Sequence, residues 1–301
     1  MAAAAEPLLL PDCAAPRLTA LASDSSTSRL SLAHALFCDG QLDRAWHELS
    51  LALQENPELA AAHHVKGVML VGSNRLDEAI APLETAIELE PESAVSYLVL
   101  GRTLQKLGHH NRALEVTNRL LRFDPNHAEG YALQAEILHR LGRTRAAIAA
   151  SREACRCDPG QAQVRLKLAT MLGEEKLWDE ALREFDVCQQ LAPSDCNITM
   201  AKADALRAAG QAAAAIELYR LALTISPASA LAYARIGRCF YELGDLPSAM
   251  ALLRTSLLID TNLGDAHETL ALIYQEMGHT AESDRMSSMA KEFRAESAKS
   301  S

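Results

Sequence analysis

The chain has 301 residues and a formal net charge of −10, with 49% hydrophobic residues but only 4% aromatic ones. Its Ala- and Leu-rich composition favours closely packed helices and argues against a compact α/β enzyme, because these residues lose little side-chain freedom in a helix. The acidic balance also argues against the basic surface that nucleic-acid-binding proteins present.

The seven cysteines do not form a recognisable disulfide or metal pattern. Their odd number, in a chain too long to need disulfide staples, indicates a reducing compartment. One residue separates Cys155 from Cys157, so this pair lacks the Cys-x-x-Cys spacing of zinc and redox sites. We therefore predict structural cysteines, no metal site and a cytoplasmic protein.

The first 25 residues contain three of the prolines and lack the basic region of a secretory signal. The whole sequence also lacks a run of 18 apolar residues that would predict a transmembrane helix, so we expect no membrane partner. We predict a flexible or loosely packed leader at residues 1–25. Two alternatives stay open for Leu8–Leu10: a disordered segment, or packing onto the first repeat or into a groove.

From residue 26 onward, prolines and glycines recur at an interval of 34 residues. Proline occupies one position of this period at Pro57, Pro91, Pro125, Pro159, Pro193 and Pro227. Glycine occupies another at Gly40, Gly108, Gly142, Gly210, Gly244 and Gly278, and Asn74 and Lys176 replace it twice. Such glycines end a helix in the left-handed conformation, and proline prevents the next helix from continuing. Each period therefore predicts two helices.

Three further positions of the period have constant side-chain size. Small residues recur at Ala33, Gly67, Gly101, Ala135, Ala169, Ala203, Gly237 and Ala271. Large apolar residues recur at Leu36, Leu70, Leu104, Leu138, Leu172, Leu206, Phe240 and Tyr274. Alanine recurs at Ala45, Ala79, Ala113, Ala147, Ala181, Ala215 and Ala249. The small residues let two helices approach closely, and the large ones fill the space between them.

The period divides the chain into eight units without insertion. These units are residues 26–59, 60–93, 94–127, 128–161, 162–195, 196–229, 230–263 and 264–297, followed by a tail at 298–301. The last unit carries Ser283, Asp284, Ser287 and Lys291 where the second unit has apolar residues. Because the terminal unit of an array has only one neighbour, we predict that these side chains face solvent.

This spacing of a small residue, a large apolar residue, Ala and Pro within 34 residues resembles the tetratricopeptide repeat. The family's aromatic residue at the fourth position is present only as Tyr97, Tyr131 and Tyr233. The resemblance implies an all-α fold, a right-handed superhelical α-solenoid of antiparallel helix pairs. It also implies that the first helix of each pair lines a concave groove, where family members generally bind a peptide or a helix.

Carried over by this resemblance, positions 2, 5, 6, 9, 12 and 13 of each unit face the groove. The predicted partner-binding residues are Leu30, His34, Phe37, His64, Val65, Val68, Val71, Leu98, Arg102, Lys106, His139, Arg140, Lys167, Arg207, Arg235 and Arg238. One interpretation is a bipartite groove, in which apolar residues hold hydrophobic anchors of a partner and Arg102, Lys106, Arg140 and Lys167 bind its acidic groups. The alternative is ordinary packing interspersed with solvated charge.

One known use of the family is disfavoured. Members that clamp the acidic C-terminus of heat-shock chaperones carry lysine at defined groove positions. The second positions here are Thr27, Ala61, Val95, Glu129, Gln163, Asn197, Leu231 and Asp265, and none of them is lysine. We therefore predict no chaperone C-terminal clamp.

Catalytic motifs are also missing from the sequence. The adjacent pairs His63–His64 and His109–His110 point in different directions on a helix, and no His-Glu-x-x-His, Gly-Lys-Ser/Thr or Gly-x-Ser-x-Gly motif occurs. We predict no enzyme activity and no cofactor. The leading function is a protein–protein interaction scaffold or adaptor. The alternatives are a non-catalytic regulatory subunit of a transferase or kinase system, and an assembly factor for a secretion or pilus machine.

Overall fold

The computed structural model describes residues 25–300, with side chains described through residue 296, and this part of the chain contains sixteen α-helices and no β-strand. The odd-numbered helices are α1 Ser25–Cys38, α3 Ala60–Gly72, α5 Ala94–Lys106, α7 Ala128–Arg140, α9 Ala162–Glu174, α11 Cys196–Ala208, α13 Ala230–Glu242 and α15 Gly264–Glu276. The even-numbered helices are α2 Leu42–Glu55, α4 Leu76–Leu89, α6 His110–Phe123, α8 Thr144–Cys157, α10 Trp178–Leu191, α12 Ala212–Ile225, α14 Leu246–Ile259 and α16 Thr280–Ser300.

The prediction of an all-α solenoid is confirmed. The helices form two compact units, of which the first ends at Cys157 and the second begins at Asp158. Within each unit, an odd-numbered helix packs against the even-numbered helix that follows it, and it also contacts the next odd-numbered helix. The odd-numbered helices of a unit therefore form one layer, and this layer is where the groove residues were predicted.

The two ends of the predicted repeat array need separate description. The predicted leader lies outside the described residues except for Ser25, which begins α1. At the other end, α16 continues to Ser300, past the boundary predicted at residue 297. No proline or glycine occurs between Thr280 and Ser300, so the local sequence has no residue that would end the helix.

The turn within each helix pair follows the glycine position of the period. All six glycines predicted for this role have a positive φ, from 71° at Gly142 to 82° at Gly244. Asn74 and Lys176 adopt the same conformation, with φ values of 57° and 60°. At the Lys176 turn, Lys176 N donates to Gly173 O at 2.9 Å and Leu177 N donates to Leu172 O at 2.9 Å. These paired bonds satisfy the last carbonyl groups of α9.

The core lies between the two helices of each pair, at the positions of constant side-chain size. Each residue of the small-residue series is buried, as is each alanine of the alanine series. Gly67 shows why size matters, since a Cβ added there would lie 2.5 Å from Cγ of the fully buried Leu83. Gly237 stands in the same relation to Leu253, at 2.9 Å. Both pairs allow helices to pack at close range.

The last helix corrects one sequence-based expectation. We predicted that Ser283 faces solvent, but it is buried, and its Oγ donates a hydrogen bond to the Ala271 carbonyl oxygen at 2.9 Å. Serine differs from alanine by one hydroxyl, and this bond satisfies that hydroxyl inside the pair of α15 and α16. Asp284 and Lys291 are exposed on the same helix, and Ser287 is half-buried.

Candidate functional site

In the first unit, the layer of odd-numbered helices carries a row of partly buried apolar side chains. Phe37, Val65, Val68 and Val71 are all half-buried. The Phe37 ring lies against Gly72, where an added Cβ would be 2.7 Å from its Cζ atom. These four side chains therefore belong partly to the core and partly to the surface of the layer.

Two residues of the predicted groove lie deeper. Leu30 is 5% exposed and Leu98 is 8% exposed, and each belongs to the hydrophobic core of its region. Both stand at the fifth position of their unit, where an apolar side chain can turn towards the neighbouring helices. Their surroundings give them a packing role, and they present little surface to a partner.

Two histidines lie beside this apolar row. His64 is half-buried, and its Nδ1 lies 3.1 Å from the hydroxyl of Ser96. Ser96 is itself buried, and its hydroxyl is 3.1 Å from that of Ser93. Burial, and secondarily the proximity of His34, lowers the pKa of His64 to about 4. His64 is therefore neutral at pH 7 and acts as a hydrogen-bonding group.

Most of the predicted basic residues of this layer are more exposed than the apolar ones. Arg102 is partly exposed and its Nη2 lies 3.9 Å from a carboxylate oxygen of Glu129. Lys106, His139 and Arg140 are exposed at the ends of α5 and α7. The four side chains are therefore on the odd-numbered layer of the first unit, together with the apolar row. Lys167, on α9, belongs to the second unit and is also exposed.

In the second unit, arginines and carboxylates replace apolar residues on the odd-numbered layer. Nη1 of Arg207 contacts Glu242 at 2.7 Å, and Nε of Arg238 contacts the same carboxylate oxygen at 3.1 Å. Arg235 lies between two acids, with Nη1 3.5 Å from Asp204 and Nη2 3.1 Å from Asp265. The three predicted arginines thus form two neighbouring ion-pair clusters, one on Glu242 and one on Asp204 and Asp265, and together these clusters, called the network below, link α11, α13 and α15.

The network extends to residues that the sequence did not single out. Arg294, on α16, contacts Asp265 at 3.0 Å and Glu268 at 2.6 Å through its Nη2. The hydroxyl of the fully buried Tyr219 donates to Asp204 at 2.6 Å. A sequence signal did exist for Tyr219, because it stands at the repeat position that Leu83 and Leu253 occupy in other units.

Six of these charged side chains line a cavity of about 250 Å³. Its lining residues are Arg207, Ala234, Arg235, Arg238, Asp265, Glu268, Thr269 and Arg294. We call this the arginine cavity. It lies wholly in the second unit, and its walls come from the odd-numbered layer and from α16.

The ionisation of groups in and beside the arginine cavity follows from burial and pairing. Burial alone would lower the pKa of Arg207, but the neighbouring Glu242 carboxylate outweighs it, and the pKa is raised. Hydrogen bonds to Glu268 and Asp265 raise the pKa of Arg294. Burial raises the pKa of the Cys239 thiol to about 12, so this cysteine stays protonated and unreactive at pH 7.

Two further properties bear on function. Between residues 25 and 300, every helix falls short of the combination of length and apolarity that crossing a bilayer requires. Over the same described range, no group of three or more His, Cys, Asp and Glu side chains is arranged to hold a metal ion. The six described cysteines are all free thiols.

Comparisons with solved structures relate the fold to known proteins. A tetratricopeptide repeat protein from Parabacteroides merdae is 19% identical, with a TM-score of 0.59 over 83% of this chain and 99% of that chain. The C-terminal part of a TPR repeat-containing protein from Cytophaga hutchinsonii is 13% identical, with a TM-score of 0.61 over 75% of this chain and 93% of that chain. PilF of Pseudomonas aeruginosa is 19% identical, with a TM-score of 0.56 over 73% of this chain and 96% of that chain.

Comparisons of the sequence point to the same family. Comparison with curated protein sequences gives no significant match. Three family models described as tetratricopeptide repeat match residues 70–137 and 206–273, residues 174–230, and residues 128–161. Together these matches span well over half of the chain, and the structure supplies the paired helices that the repeat requires. The chain therefore belongs to the tetratricopeptide repeat family.

Proposed function

We propose that this protein is a non-catalytic interaction scaffold that binds a segment of a partner polypeptide on the odd-numbered layer of its first unit. Tetratricopeptide repeat proteins are interaction modules, and this family membership supports the general role. The observation that carries the specific proposal is the row of half-buried Phe37, Val65, Val68 and Val71 on one helix layer. Apolar side chains that stay partly exposed on a folded surface are available to a partner's hydrophobic anchors.

The charged residues beside this row define the rest of the proposed site. Lys106 and Arg140 are exposed, and within the described part of the chain neither forms an ion pair with a carboxylate. Arg102 has only a long contact with Glu129. We propose that these three cations bind acidic groups that flank the anchors of the partner. Lys167 lies in the second unit, so its predicted role stays a prediction and is not part of this proposed site.

We also propose that the protein carries out no reaction itself and works in the cytoplasm. All sixteen described helices are used in helix-pair packing, and the exposed residues of the odd-numbered layers are suited to contact with a polypeptide. Six free thiols support a reducing compartment. Turnover of a substrate by the purified full-length chain would contradict the non-catalytic part of this proposal.

The proposal is tested by direct binding to a purified partner. Affinity purification from the native cell, followed by mass spectrometry, supplies candidates, and each is then titrated against the full-length protein. Val68→Glu places a charge in the apolar row and Arg102→Glu reverses a flanking charge. We expect each variant to weaken binding about tenfold or more, as loss of an apolar contact or a charge pair of about 1.4 kcal/mol would do.

Leu258→Glu is the matched control, because Leu258 is 86% exposed on α14 of the second unit. It introduces the same charge outside the proposed site and should leave the affinity unchanged. Circular dichroism must show that Val68→Glu keeps its helices. Unchanged affinity of both folded site variants would disprove the proposed site.

A further inference from the structure

We propose that the arginine cavity is a second binding subsite, which takes the carboxylate side chains of an acidic peptide segment. This inference rests on the proposed scaffold function, but it concerns a different surface of the protein. The cavity lies in the second unit, whereas the proposed apolar site lies in the first.

The first argument is an excess of hydrogen-bond donors. Four guanidinium groups line the cavity, and each carries five N–H donors. Among the described residues, the buried Nε atoms of Arg207 and Arg235 have no hydrogen-bond partner. Arg238 uses its Nε on Glu242, and its guanidinium lies 5.6 Å from the centre of the Tyr241 ring. The two Nε atoms are enclosed and out of a ligand's reach, so the donors left for a ligand are Nη atoms that the carboxylates do not use, above all those of Arg238.

The second argument is the charge of the whole network. The four arginines are balanced by four acids, namely Asp204, Glu242, Asp265 and Glu268. A cationic ligand would meet carboxylates that already accept hydrogen bonds from arginine. An anionic ligand would meet the remaining N–H donors, so the donor excess selects an acceptor group.

The third argument separates a carboxylate from a phosphate group. Arginine binds both types of anion through paired hydrogen bonds. A phosphate group carries up to two negative charges, and two carboxylates, those of Asp265 and Glu268, line the cavity. Repulsion from these carboxylates is smaller for a singly charged carboxylate than for a doubly charged phosphate. The volume of about 250 Å³ is small for a whole ligand and suits one or two acidic side chains.

The network also contains a carboxylate, that of Glu268, which a ligand can displace. The contact between Arg294 and Glu268 is 2.6 Å long, but the two side chains are 51% and 48% exposed. An ion pair this exposed adds little to stability, because water screens it. Glu268 is therefore the internal competitor, and a carboxylate of the partner replaces it on Arg294. Asp265, at 29% exposed and paired with two arginines, keeps the remaining pairs in place.

The test uses the full-length protein and a fluorescently labelled tetraglutamate peptide with blocked ends, measured by fluorescence anisotropy at low ionic strength. Glu268→Gln removes the internal competitor, and we expect it to tighten binding severalfold. Arg238→Gln removes a donor group and should weaken binding about tenfold. The control Arg254→Gln, at an exposed arginine of α14 outside the cavity, should leave the affinity unchanged.

The opposite signs of the two cavity variants make this test independent of simple unfolding. Binding that is not saturable, or that Glu268→Gln weakens or leaves unchanged, would overturn the proposal. Competition by inorganic phosphate as strong as that by unlabelled tetraglutamate would overturn the choice of carboxylate. Binding of a tetralysine peptide in place of tetraglutamate would also overturn the choice of carboxylate.

Val68→Glu separates this inference from the proposed function. We expect this variant to bind tetraglutamate as tightly as the unaltered protein, even if its affinity for the whole partner falls. Weaker tetraglutamate binding by folded Val68→Glu, together with unchanged binding by Arg238→Gln, would place the acidic subsite in the first unit, and the inference would be wrong.

Discussion

In the first unit, Val65 and Val68 occupy the sixth and ninth positions of their repeat, whereas Arg235 and Arg238 occupy the same positions in the second unit. The valines are half-buried beside an apolar row, and the arginines belong to an ion-pair network around a cavity. Both pairs lie on odd-numbered helices of the same length. One repeat backbone therefore supports two surfaces of opposite chemistry.

The buried positions of the same repeats do not diverge in this way. Gly67 and Gly237 both admit a leucine at close range, and Leu83 and Leu253 are both fully buried. A larger residue at the glycine position would clash, so sterics restrict it in each unit. The comparison of the units thus teaches that packing constrains the buried positions, whereas the sixth and ninth positions of the odd-numbered layer differ in chemistry between the units.

The largest expected effect tests whether the two cores are equivalent. Leu83→Ala and Leu253→Ala each remove a fully buried side chain at the same repeat position. We expect each to lower the free energy of unfolding by about 2–5 kcal/mol, from lost burial and the cavity left behind. Urea denaturation followed by circular dichroism measures this, analysed for separate transitions because repeat arrays can unfold in parts.

Leu258→Ala is the control for the leucine pair, since this side chain is 86% exposed and should change stability little. If one core variant loses more than about 3 kcal/mol beyond the other, the range of the expected effect is exceeded and the cores are not equivalent.

A smaller effect, a loss of stability at low pH, is expected from His64 in the first unit. The folded pKa of His64 is about 4, below its ordinary value of 6.5. Above pH 6.5 both folded and unfolded states hold this histidine neutral, and its contribution to stability is complete. As the pH falls from 6.5 towards 4, the unfolded state takes up a proton first. The free energy of unfolding should then fall by up to about 3 kcal/mol.

The His64→Gln variant measures that contribution, because glutamine keeps a polar group near Ser96 and does not titrate. Urea denaturation between pH 7.5 and pH 4 should show a shallower loss of stability in the variant than in the unaltered protein. Equal slopes in the two proteins over this range would rule out His64 as the source.

The smallest effect concerns the two turns that lack glycine, one in each unit. Lys176 has a φ of 60° and Asn74 has a φ of 57°. Asparagine tolerates this conformation better than lysine does. Lys176→Gly should therefore raise the free energy of unfolding by up to about 1 kcal/mol, and Asn74→Gly by less.

The matched variant Lys176→Ala keeps a Cβ atom at the turn and should not produce this gain. Thermal denaturation with all three variants resolves the order. A gain for Asn74→Gly as large as that for Lys176→Gly would contradict the explanation from backbone strain.

The fold could be predicted from the sequence because the period is constant and each small, large or glycine position has a single steric requirement. The burial of a side chain could be predicted less well where it depends on contacts with neighbouring helices. Leu30 and Leu98 were assigned to the groove and lie in the core, since a fifth-position side chain can turn either way. Ser283 was assigned to the surface because its hydroxyl is polar, but a nearby carbonyl group satisfies it.

The ion pairs of the second unit could not be predicted from the sequence, for a different reason. Arg207 and Glu242 are 35 residues apart, and Arg235 and Asp265 are 30 residues apart. Such separations lie close to the period, so adjacent repeats bring the partners together. The sequence contains many combinations at these distances, and only the actual rotamers decide which pairs form. Arg294 joins the network from α16, which the groove positions did not include.

Because the helices have uniform lengths, the repeats are structurally interchangeable. From α3 to α15 the odd-numbered helices span 13 residues, and from α2 to α14 the even-numbered ones span 14. Exchanging the outward residues of one repeat for those of another would transplant its recognition chemistry without lengthening a turn or repacking the interior. New specificities are therefore accessible to this protein through a few surface replacements, while the buried residues that determine its fold stay the same.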